Sequence, residues 1–245
     1  MIESHIQHLV IVRHGEGEGD VRRAARKANK EFITDKTVDQ EELTLSGEEQ
    51  SNLAGLWIME NIIARYGLAR FSGCYVSPTY RTEQSAAALN ISDVIWQIDK
   101  NLFERNRGLI AGWPKVKHRE AYPKNYNQML SDPVNWVPPA GESIKQVVGR
   151  VEHFLSDIDD ARAALVVTHR DWIWASQQPL DGLNDEELAL VDTDTIENSQ
   201  IIHYTCIDPI SGAQSPYLMW KRSVSPWVND TILAQSTEAW IRLRQ

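Results

Sequence analysis

Short apolar runs alternate along this chain with stretches in which apolar residues recur at helical spacing. The apolar runs, which are typical of buried strands, lie at 8–12, 73–76, 94–98 and 164–168. Helical spacing is found at 46–67, 78–89, 143–158 and 171–176. Strands that alternate with helices favour one α/β domain spanning residues 1–245. We expect a three-layer sandwich with a mainly parallel sheet and helices on both faces.

Residues at the predicted helix starts match the known preferences of helix caps. Ser46 with Glu49, and Ser143 with Gln146, have the spacing of a capping box. Ser77-Pro78 suits an N-cap followed by proline at the first helical position. These three sites therefore predict where the helices begin.

Two segments between the regular elements are candidates for functional roles. Residues 101–141 hold many Pro, Gly, Trp and Asn residues with little periodicity, and a long irregular segment in a compact domain is usually functional. We expect an active-site segment there. The basic stretch Arg22–Lys27 is interpreted as a solvated helix face, with a cationic lid over the site as the alternative.

The late part of the chain predicts an edge of the sheet. Residues 199–207 and 216–221 favour two strands that form a hairpin at an antiparallel edge. An exposed edge permits pairing with a second copy of the chain, so a homodimer is one outcome that we consider. Apolar residues that could support it follow the hairpin, at Ile232, Leu233, Trp240 and Ile241.

Charge and composition exclude several classes of partner. The chain carries 34 acidic and 25 basic residues, a net charge of -9, which argues against broad binding of nucleic acid or of an anionic membrane. It has neither an apolar run of about 18 residues nor the pattern of a signal peptide, so we expect a cytoplasmic protein. Cys74 and Cys206 lack paired spacing, which disfavours a disulfide framework or a cysteine zinc site.

Basic side chains follow three of the predicted strands. Arg13-His14-Gly15-Glu16 comes directly after the first apolar run, and His169 directly after the run at 164–168. Arg81 lies on the first turn of the helix that follows 73–76. Because the carboxyl ends of parallel strands meet at one edge of a sheet, we expect these side chains to converge. Guanidinium groups bind phosphate in a bidentate manner, so the edge predicts a phosphate pocket.

The same residues suggest a reaction at phosphorus. Fixed cations favour the neutral form of the His14 imidazole, which keeps a lone pair for attack. Attack would give a phosphohistidine that water then hydrolyses. Glu104, in the irregular segment, is a candidate to protonate the leaving oxygen. Taken singly, each histidine could equally be a structural residue at a strand end.

Six short motifs, taken together, resemble the histidine phosphatase superfamily in its phosphoglycerate mutase-like branch. They occur in that family's order between residues 9 and 170: Arg13-His14-Gly15-Glu16, Leu43 to Gln50, Ser77 to Thr82, Leu102-Phe103-Glu104 with Gly108, Pro138 to Ser143, and Thr168-His169.

The resemblance implies roles for the converging residues. His14 would be the phosphorylated nucleophile, and Arg13, Arg81 and His169 would bind the phosphoryl group. Glu104 would match the family's proton donor. The resemblance implies neither a metal nor another cofactor, and the chain has no motif with metal-ligand spacing.

Three positions depart from the pattern common in this family. Gly17 stands where many members carry Ser or Thr, and Asp20 where many carry a phosphate-contacting Asn. Arg170 stands where Gly is usual, and it would either add a cation to the phosphate site or point away. We keep all three as candidate substrate-binding residues. A carboxylate at Asp20 would repel phosphate unless it is paired or displaced.

The sequence thus predicts a phosphatase that hydrolyses a small phosphomonoester through phosphorylated His14. Phosphoryl transfer of the phosphoglycerate mutase type is the first alternative, because the segment at 101–141 could shield a phosphorylated intermediate from water. A phosphate-binding module without turnover is the second alternative, prompted by Gly17 and Asp20.

Overall fold

Four parallel strands and three antiparallel ones form one sheet. The computed structural model describes residues 6–27, 36–37, 39–158, 161–227 and 240–243. The strands in these ranges are β1 (His8–Arg13), β2 (Gly73–Val76), β3 (Trp96–Ile98), β4 (Ala163–Thr168), β5 (Ile201–Thr205), β6 (Trp220–Val224) and β7 (Ile241–Arg242). They lie in the order β3-β2-β4-β1-β5-β6-β7. The strands β3, β2, β4 and β1 are parallel to one another, and β5 to β7 form an antiparallel edge.

Helices separate most of these strands along the chain. The described residues form α1 (Glu18–Lys27), α2 (Leu45–Ile58), α3 (Tyr80–Ala88), α4 (Lys115–Ala121), α5 (Pro123–Ser131), α6 (Ile144–Asp157), α7 (Arg170–Asp181) and α8 (Asp185–Ala189). A π-helical stretch, Met59–Ala64, continues α2, and the helical path ends at Gly67, whose φ of +59° is readily adopted by glycine. The prediction of a mixed α/β fold with a mainly parallel sheet and an antiparallel edge is confirmed.

Successive residues of β1 face opposite sides of the sheet and enter two apolar clusters. Leu9 and Ile11 pack with residues of α6 and α7. Val10 and Val12 pack with residues of α2 and α3. The alternation follows from the two-residue period of a strand, and it explains why β1 is apolar throughout.

The start of α2 lies near Ser46, as predicted, but two of the three predicted cap residues are wrong. The N-cap of α2 is Thr44, whose hydroxyl accepts from the Gly47 amide at 3.0 Å, and not Ser46. The cap position of α3 is Thr79, and not Ser77. Several hydroxyl residues precede each helix, so cap preference alone does not choose among them. The capping box of Ser143 with Gln146 at the start of α6 is confirmed.

The segment at 101–141 is more regular than its sequence indicates. It contains α4 and α5 and two short 3₁₀ turns, Lys100–Leu102 and Gly108–Ile110. No residue of α5 is buried, which explains why the apolar periodicity of a helix is missing there. The short elements α8 and β7 were likewise not predicted from the sequence.

The structure also describes several of the cysteines and late apolar residues that the sequence analysis named. Cys74 and Cys206 are both buried and not disulfide-bonded, as small apolar residues in strands would be. Ile232 and Leu233 lie outside the described residues. Trp240 packs within the chain, with its ring 4.6 Å from the Arg222 guanidinium carbon. In the described part, no helix is long and apolar enough to cross a bilayer.

Candidate active site

The ends of β1, β2 and β4 meet at one edge of the sheet, as the sequence predicted. These strands are neighbours, and β4 lies between the other two. The His14 amide donates to the Thr168 carbonyl at 3.0 Å, and the Ser77 amide donates to the Val167 carbonyl at 3.1 Å. The hydrogen bonds that extend the sheet thus bring residues 14, 77 and 169 together.

The buried imidazole of His14 is held in one tautomer. Its Nδ1 lies 2.7 Å from the carbonyl oxygen of Gly15, which can only accept, so Nδ1 carries the proton. Its Nε2 accepts from Nε of Arg81 at 3.3 Å. Burial, and next the charge of Arg81, lower the pKa of His14 to about 3. The neutral ring therefore presents a lone pair on Nε2 toward the Arg81 guanidinium.

Arg81 links the two histidines. Its terminal NH2 donates to Nδ1 of His169 at 3.1 Å, which leaves the His169 proton on Nε2. That Nε2 donates to the hydroxyl of Ser77 at 2.8 Å. Burial, followed by the charge of Arg81, holds the pKa of His169 well below its ordinary value. The sequence suggested a helix cap for Ser77, whereas the structure shows that it orients His169.

Two glycines allow the loop after β1 to lie against the start of α2. A side-chain carbon at Gly15 would overlap the carbonyl of Gly47, and one at Gly47 would overlap the backbone of Glu16. The Gly15 amide donates to the hydroxyl of Ser85 at 2.9 Å, which fixes the loop from the α3 side. This close approach sets the position of His14 between α2 and α3.

Asp20 is paired with a cation, which is the condition that the sequence analysis set for a carboxylate at this position. Its Oδ1 lies 2.6 Å from the NH2 group of Arg13. Its Oδ2 accepts from the Gly17 amide at 3.2 Å and lies 3.9 Å from Nδ1 of His14. Burial alone would raise the pKa of Asp20, but its interaction with the His14 ring, the charge of Arg13 and the hydrogen bond from Gly17 hold it below its ordinary value.

Asn198 is a site residue that the sequence analysis missed. Its amide nitrogen donates to Oδ2 of Asp20 at 2.9 Å and to the carbonyl of His14 at 3.3 Å. It lies before β5, which is antiparallel to β1. The convergence of the carboxyl ends of parallel strands therefore does not predict its position. Only the tertiary fold brings Asn198 to the site.

The basic stretch on α1 contacts carboxylates. Arg22 forms an ion pair with Glu41, and Arg23 contacts Asp20 at 3.2 Å. Glu41 also lies 3.9 Å from Arg81. These two arginines support the residues around the site, in contrast to a lid of uncompensated cations. The side chains of the last two residues of the stretch lie outside the described part.

Glu104 lies at the start of the 101–141 segment, beside the first turn of α7. Its Oε1 accepts from the backbone amides of Arg105 at 3.0 Å and Asp171 at 3.2 Å. Loss of hydration, and next the charge of Asp171, raise the pKa of Glu104 to about 7. A carboxyl group in this setting is able to give a proton near neutral pH.

Asp171, next to Glu104, forms ion pairs with two arginines. It is buried, with Arg107 NH2 at 2.6 Å from one carboxylate oxygen and Arg170 Nε at 3.3 Å from the other. Arg170 also lies 3.9 Å from Asp194. Burial alone would raise the pKa of Asp171, but Arg107 and Arg170 hold it well below its ordinary range. Arg170 therefore contacts acidic groups beside the site. Arg107 contacts the same carboxylate, and the sequence analysis did not predict it as a site residue.

The arrangement brings a neutral imidazole, several guanidinium groups and a carboxyl group with a raised pKa to one edge of the sheet. His14, Arg81 and His169 contact one another directly, whereas Arg13 contacts Asp20. Glu104 lies within the influence of the Arg81 charge. Among the residues that the structure describes, no three His, Cys, Asp or Glu side chains group as metal ligands would. Such a set of groups is suited to chemistry on an anionic phosphoryl group.

Comparison with known proteins agrees with this geometry. Proteins of similar sequence include the 2,3-bisphosphoglycerate-dependent phosphoglycerate mutases of Rhizobium etli and Cytophaga hutchinsonii. The first is 29% identical over 196 residues, which cover 76% of this chain and 86% of the relative. The second is 28% identical over 195 residues, covering 76% and 83%.

Solved structures share the fold at lower sequence identity. The alpha-ribazole phosphatase of Shigella flexneri superposes with a TM-score of 0.61 at 19% identity, covering 86% of this chain and 98% of its own. A mycobacterial glucosyl-3-phosphoglycerate phosphatase gives a TM-score of 0.60 at 20% identity, covering 80% and 89%. The family model of the histidine phosphatase superfamily (branch 1) matches residues 9–205. The chain belongs to this branch of the histidine phosphatase superfamily.

Proposed function

We propose that this protein is a phosphatase that hydrolyses a small phosphomonoester through a phosphohistidine on His14. The observation that carries the proposal is the state of the His14 ring. Its Nδ1 donates to the Gly15 carbonyl, and its unprotonated Nε2 accepts from Arg81. Arg81 also donates to the ring of His169. A neutral imidazole nitrogen that meets a guanidinium is placed to attack phosphorus bound by that guanidinium.

The first step transfers the phosphoryl group to the protein. The phosphate oxygens take the place of His14 as acceptors for Arg81, and the Nε2 lone pair then forms a bond to phosphorus. The bond from phosphorus to the ester oxygen breaks, and that oxygen takes the proton of Glu104. An arriving phosphate dianion favours the protonated form of His169, which would then donate from Nδ1.

The second step releases inorganic phosphate. Water attacks the phosphorus of the phosphohistidine, the bond between phosphorus and Nε2 breaks, and the Glu104 carboxylate takes the proton of the water. Glu104 and His14 thereby return to their starting states. Side chains supply every group in this cycle, so we expect the rate to persist in the presence of a metal chelator.

The exposure of helix α5 in the 101–141 segment is our reason to favour hydrolysis over retention of the phosphoryl group. A mutase must keep water from its phosphorylated histidine. No residue of α5 is buried, so this helix offers little packing that would hold water out of the site. A mutase is the second candidate function, because similar proteins include phosphoglycerate mutases. In that reaction His14 would pass the phosphoryl group between hydroxyls of one substrate.

Two measurements test the proposal. The wild-type protein and the variant His14→Ala are incubated with p-nitrophenyl phosphate, with release of phosphate as the readout and acid-labile, base-stable phosphoprotein trapped by rapid quench. We expect turnover and trapped phosphoprotein for the wild type only. Equal turnover by His14→Ala would contradict the proposal, and binding of phosphate without turnover by the wild type would favour a binding module.

A second substrate distinguishes hydrolysis from transfer. The wild type is given 3-phosphoglycerate with and without 2,3-bisphosphoglycerate, and the products are resolved by phosphorus NMR. If release of inorganic phosphate is the main reaction of the substrates that are turned over, the protein is a phosphatase. Formation of 2-phosphoglycerate with little free phosphate would identify the mutase instead.

A further inference from the structure

Asp171 is a buried acidic residue that the two steps above do not use. We propose that Asp171 is a positioning residue whose negative charge keeps Glu104 protonated until the leaving oxygen needs the proton. The inference rests on the proposed function, since it assigns a purpose to the acid that the function requires. It predicts that the protein is adapted to esters of alcohols, whose oxygen is a poor leaving group.

The position of Asp171 is fixed by three contacts. Its backbone amide, on the first turn of α7, donates to Oε1 of Glu104 at 3.2 Å. Its carboxylate binds Arg107 at 2.6 Å and Arg170 at 3.3 Å, and its side chain is 3% exposed. A carboxylate held between two guanidinium groups stays ionised, so Asp171 presents a permanent negative charge beside Glu104.

The hydrogen bonds of Glu104 indicate which of its oxygens carries the proton. Both of its backbone donors, the amides of Arg105 and Asp171, contact Oε1. An oxygen that accepts two N–H groups is the deprotonated one, so the proton belongs on Oε2. Oε2 is therefore the atom that donates to the ester oxygen.

The charges facing Glu104 come from four parts of the fold. Arg13 lies at the end of β1, Arg81 on α3, and Arg105 and Arg107 on the segment that carries Glu104 itself. Each of these cations favours the ionised carboxylate. Asp171 on α7 is the negative member of the set, and its charge opposes theirs. Burial is the larger influence that keeps Glu104 protonated, and without the charge of Asp171 the surrounding arginines would lower the pKa of Glu104.

The step that Asp171 supports is needed for some esters and not for others. An alkoxide is a strong base and must receive a proton as the bond to phosphorus breaks. A p-nitrophenolate is a weak base and can leave without one. A protein whose acid stays protonated near neutral pH is thus suited to phosphate esters of alcohols.

The test compares the variants Asp171→Asn and Arg107→Gln with the wild type. Asp171→Asn keeps the shape and the backbone bond to Glu104 but removes the charge. We expect the alkaline limb of the kcat/KM profile for a primary alkyl phosphate to move down by about one pH unit, which is about a tenfold loss above both limbs. The loss is expected to be smaller for p-nitrophenyl phosphate. Arg107→Gln removes a cation from Glu104, so its limb should move up.

Opposite shifts of the two variants separate an electrostatic role from a structural one. Damage to the fold would lower activity on both esters and would not move the limbs in opposite directions. An unmoved limb in Asp171→Asn, or equal losses on both esters with no shift, would overturn the inference. Should Asp171→Asn fail to fold, the upward shift of Arg107→Gln remains obligatory.

A direct titration separates this inference from the proposed function. The carboxyl carbon of Glu104, assigned by comparison with Glu104→Gln, is followed by carbon NMR in the protein without ligand. A lower midpoint in Asp171→Asn than in the wild type supports the role of Asp171 even if neither ester is hydrolysed. An unchanged midpoint overturns it even if both esters are hydrolysed.

Discussion

The Asp20 carboxylate contacts the Arg13 guanidinium at 2.6 Å, beside the ring of His14. Arg13 also donates to the carbonyl of Ile196 at 2.7 Å, so two of its donors are engaged within the protein. In the family pattern this arginine is expected to hold phosphate. Its charge is here partly balanced before any substrate arrives, so we expect its affinity for phosphate to be reduced.

The variant Asp20→Asn should therefore bind phosphate more tightly. An amide keeps the contacts with Gly17 and removes the negative charge next to Arg13. We expect the inhibition constant of inorganic phosphate to fall about tenfold, which corresponds to about 1.4 kcal/mol. The measurement is competitive inhibition of p-nitrophenyl phosphate hydrolysis, and an unchanged or larger constant would show that Asp20 does not oppose phosphate binding.

The variant Glu104→Gln should lose activity in proportion to the basicity of the leaving group. Loss of an acid that protonates the leaving oxygen costs about 10²-fold or more for an alkyl phosphate, and less for p-nitrophenyl phosphate. In the wild type, we expect activity on alkyl esters to fall as the pH rises through about 7, because Glu104 loses its proton there. A series of esters with leaving groups of graded pKa measures both effects, and equal losses along the series would argue against Glu104 as the acid.

The close approach of Gly15 to Gly47 predicts a costly substitution. Gly15→Ala would overlap the Gly47 carbonyl and push the loop away from α2, at a cost of about 1–3 kcal/mol. Gly149→Ala is the matched control, because a methyl group there meets nothing within 4 Å on an exposed turn of α6. The free energy of unfolding in urea should fall in the first variant and stay level or rise in the second.

A pair of buried histidines on β1 and β5 predicts a loss of stability in acid. His203 accepts from Arg222 at 3.3 Å and so donates to Nδ1 of His8 at 3.1 Å, which requires both rings to be neutral. Burial, with the charges of Arg162 and Arg222, lowers the pKa of His8 to about 4. Between these pKa values His8 is protonated in the unfolded chain but not in the folded protein. The free energy of unfolding therefore decreases as the pH falls from about 6.5 toward 4.

The effect can be isolated with the variant His8→Leu. The unfolding free energy of the wild type, relative to that of the variant, should decrease by about 1 kcal/mol per pH unit over this range. The comparison cancels contributions from other groups, which both proteins share. A difference that does not change with pH would mean that His8 is not held neutral in the fold.

The strand ends were the part of the site that the sequence could predict. Buried parallel strands read as continuous apolar runs, and their carboxyl ends must meet, so Arg13, His14 and His169 could be placed together without a structure. Glu104 was reachable through the irregular segment and the family resemblance. The alternation of elements was sufficient for the fold class for the same reason.

The remaining contacts depend on distances that sequence spacing does not encode. Ser77 has the pattern of a helix cap, yet the fold turns its hydroxyl to His169. Asn198 and Asp20 meet across β1 although they are 178 residues apart in the chain. Asp171 and Arg107 form an ion pair over 64 residues. Each of these pairings follows from tertiary packing, which overrides local preference.

The interleaving of the site with the sheet has a consequence for how the protein matures. Arg81 contacts His14 across 67 residues of chain and His169 across 88. These partners meet only when β4 is inserted between β1 and β2, and pairing of such distant segments is slow compared with local helix formation. Recovery of phosphate ester cleavage during refolding would thus report completion of the central sheet, and a nascent chain that ends before β4 would be inert.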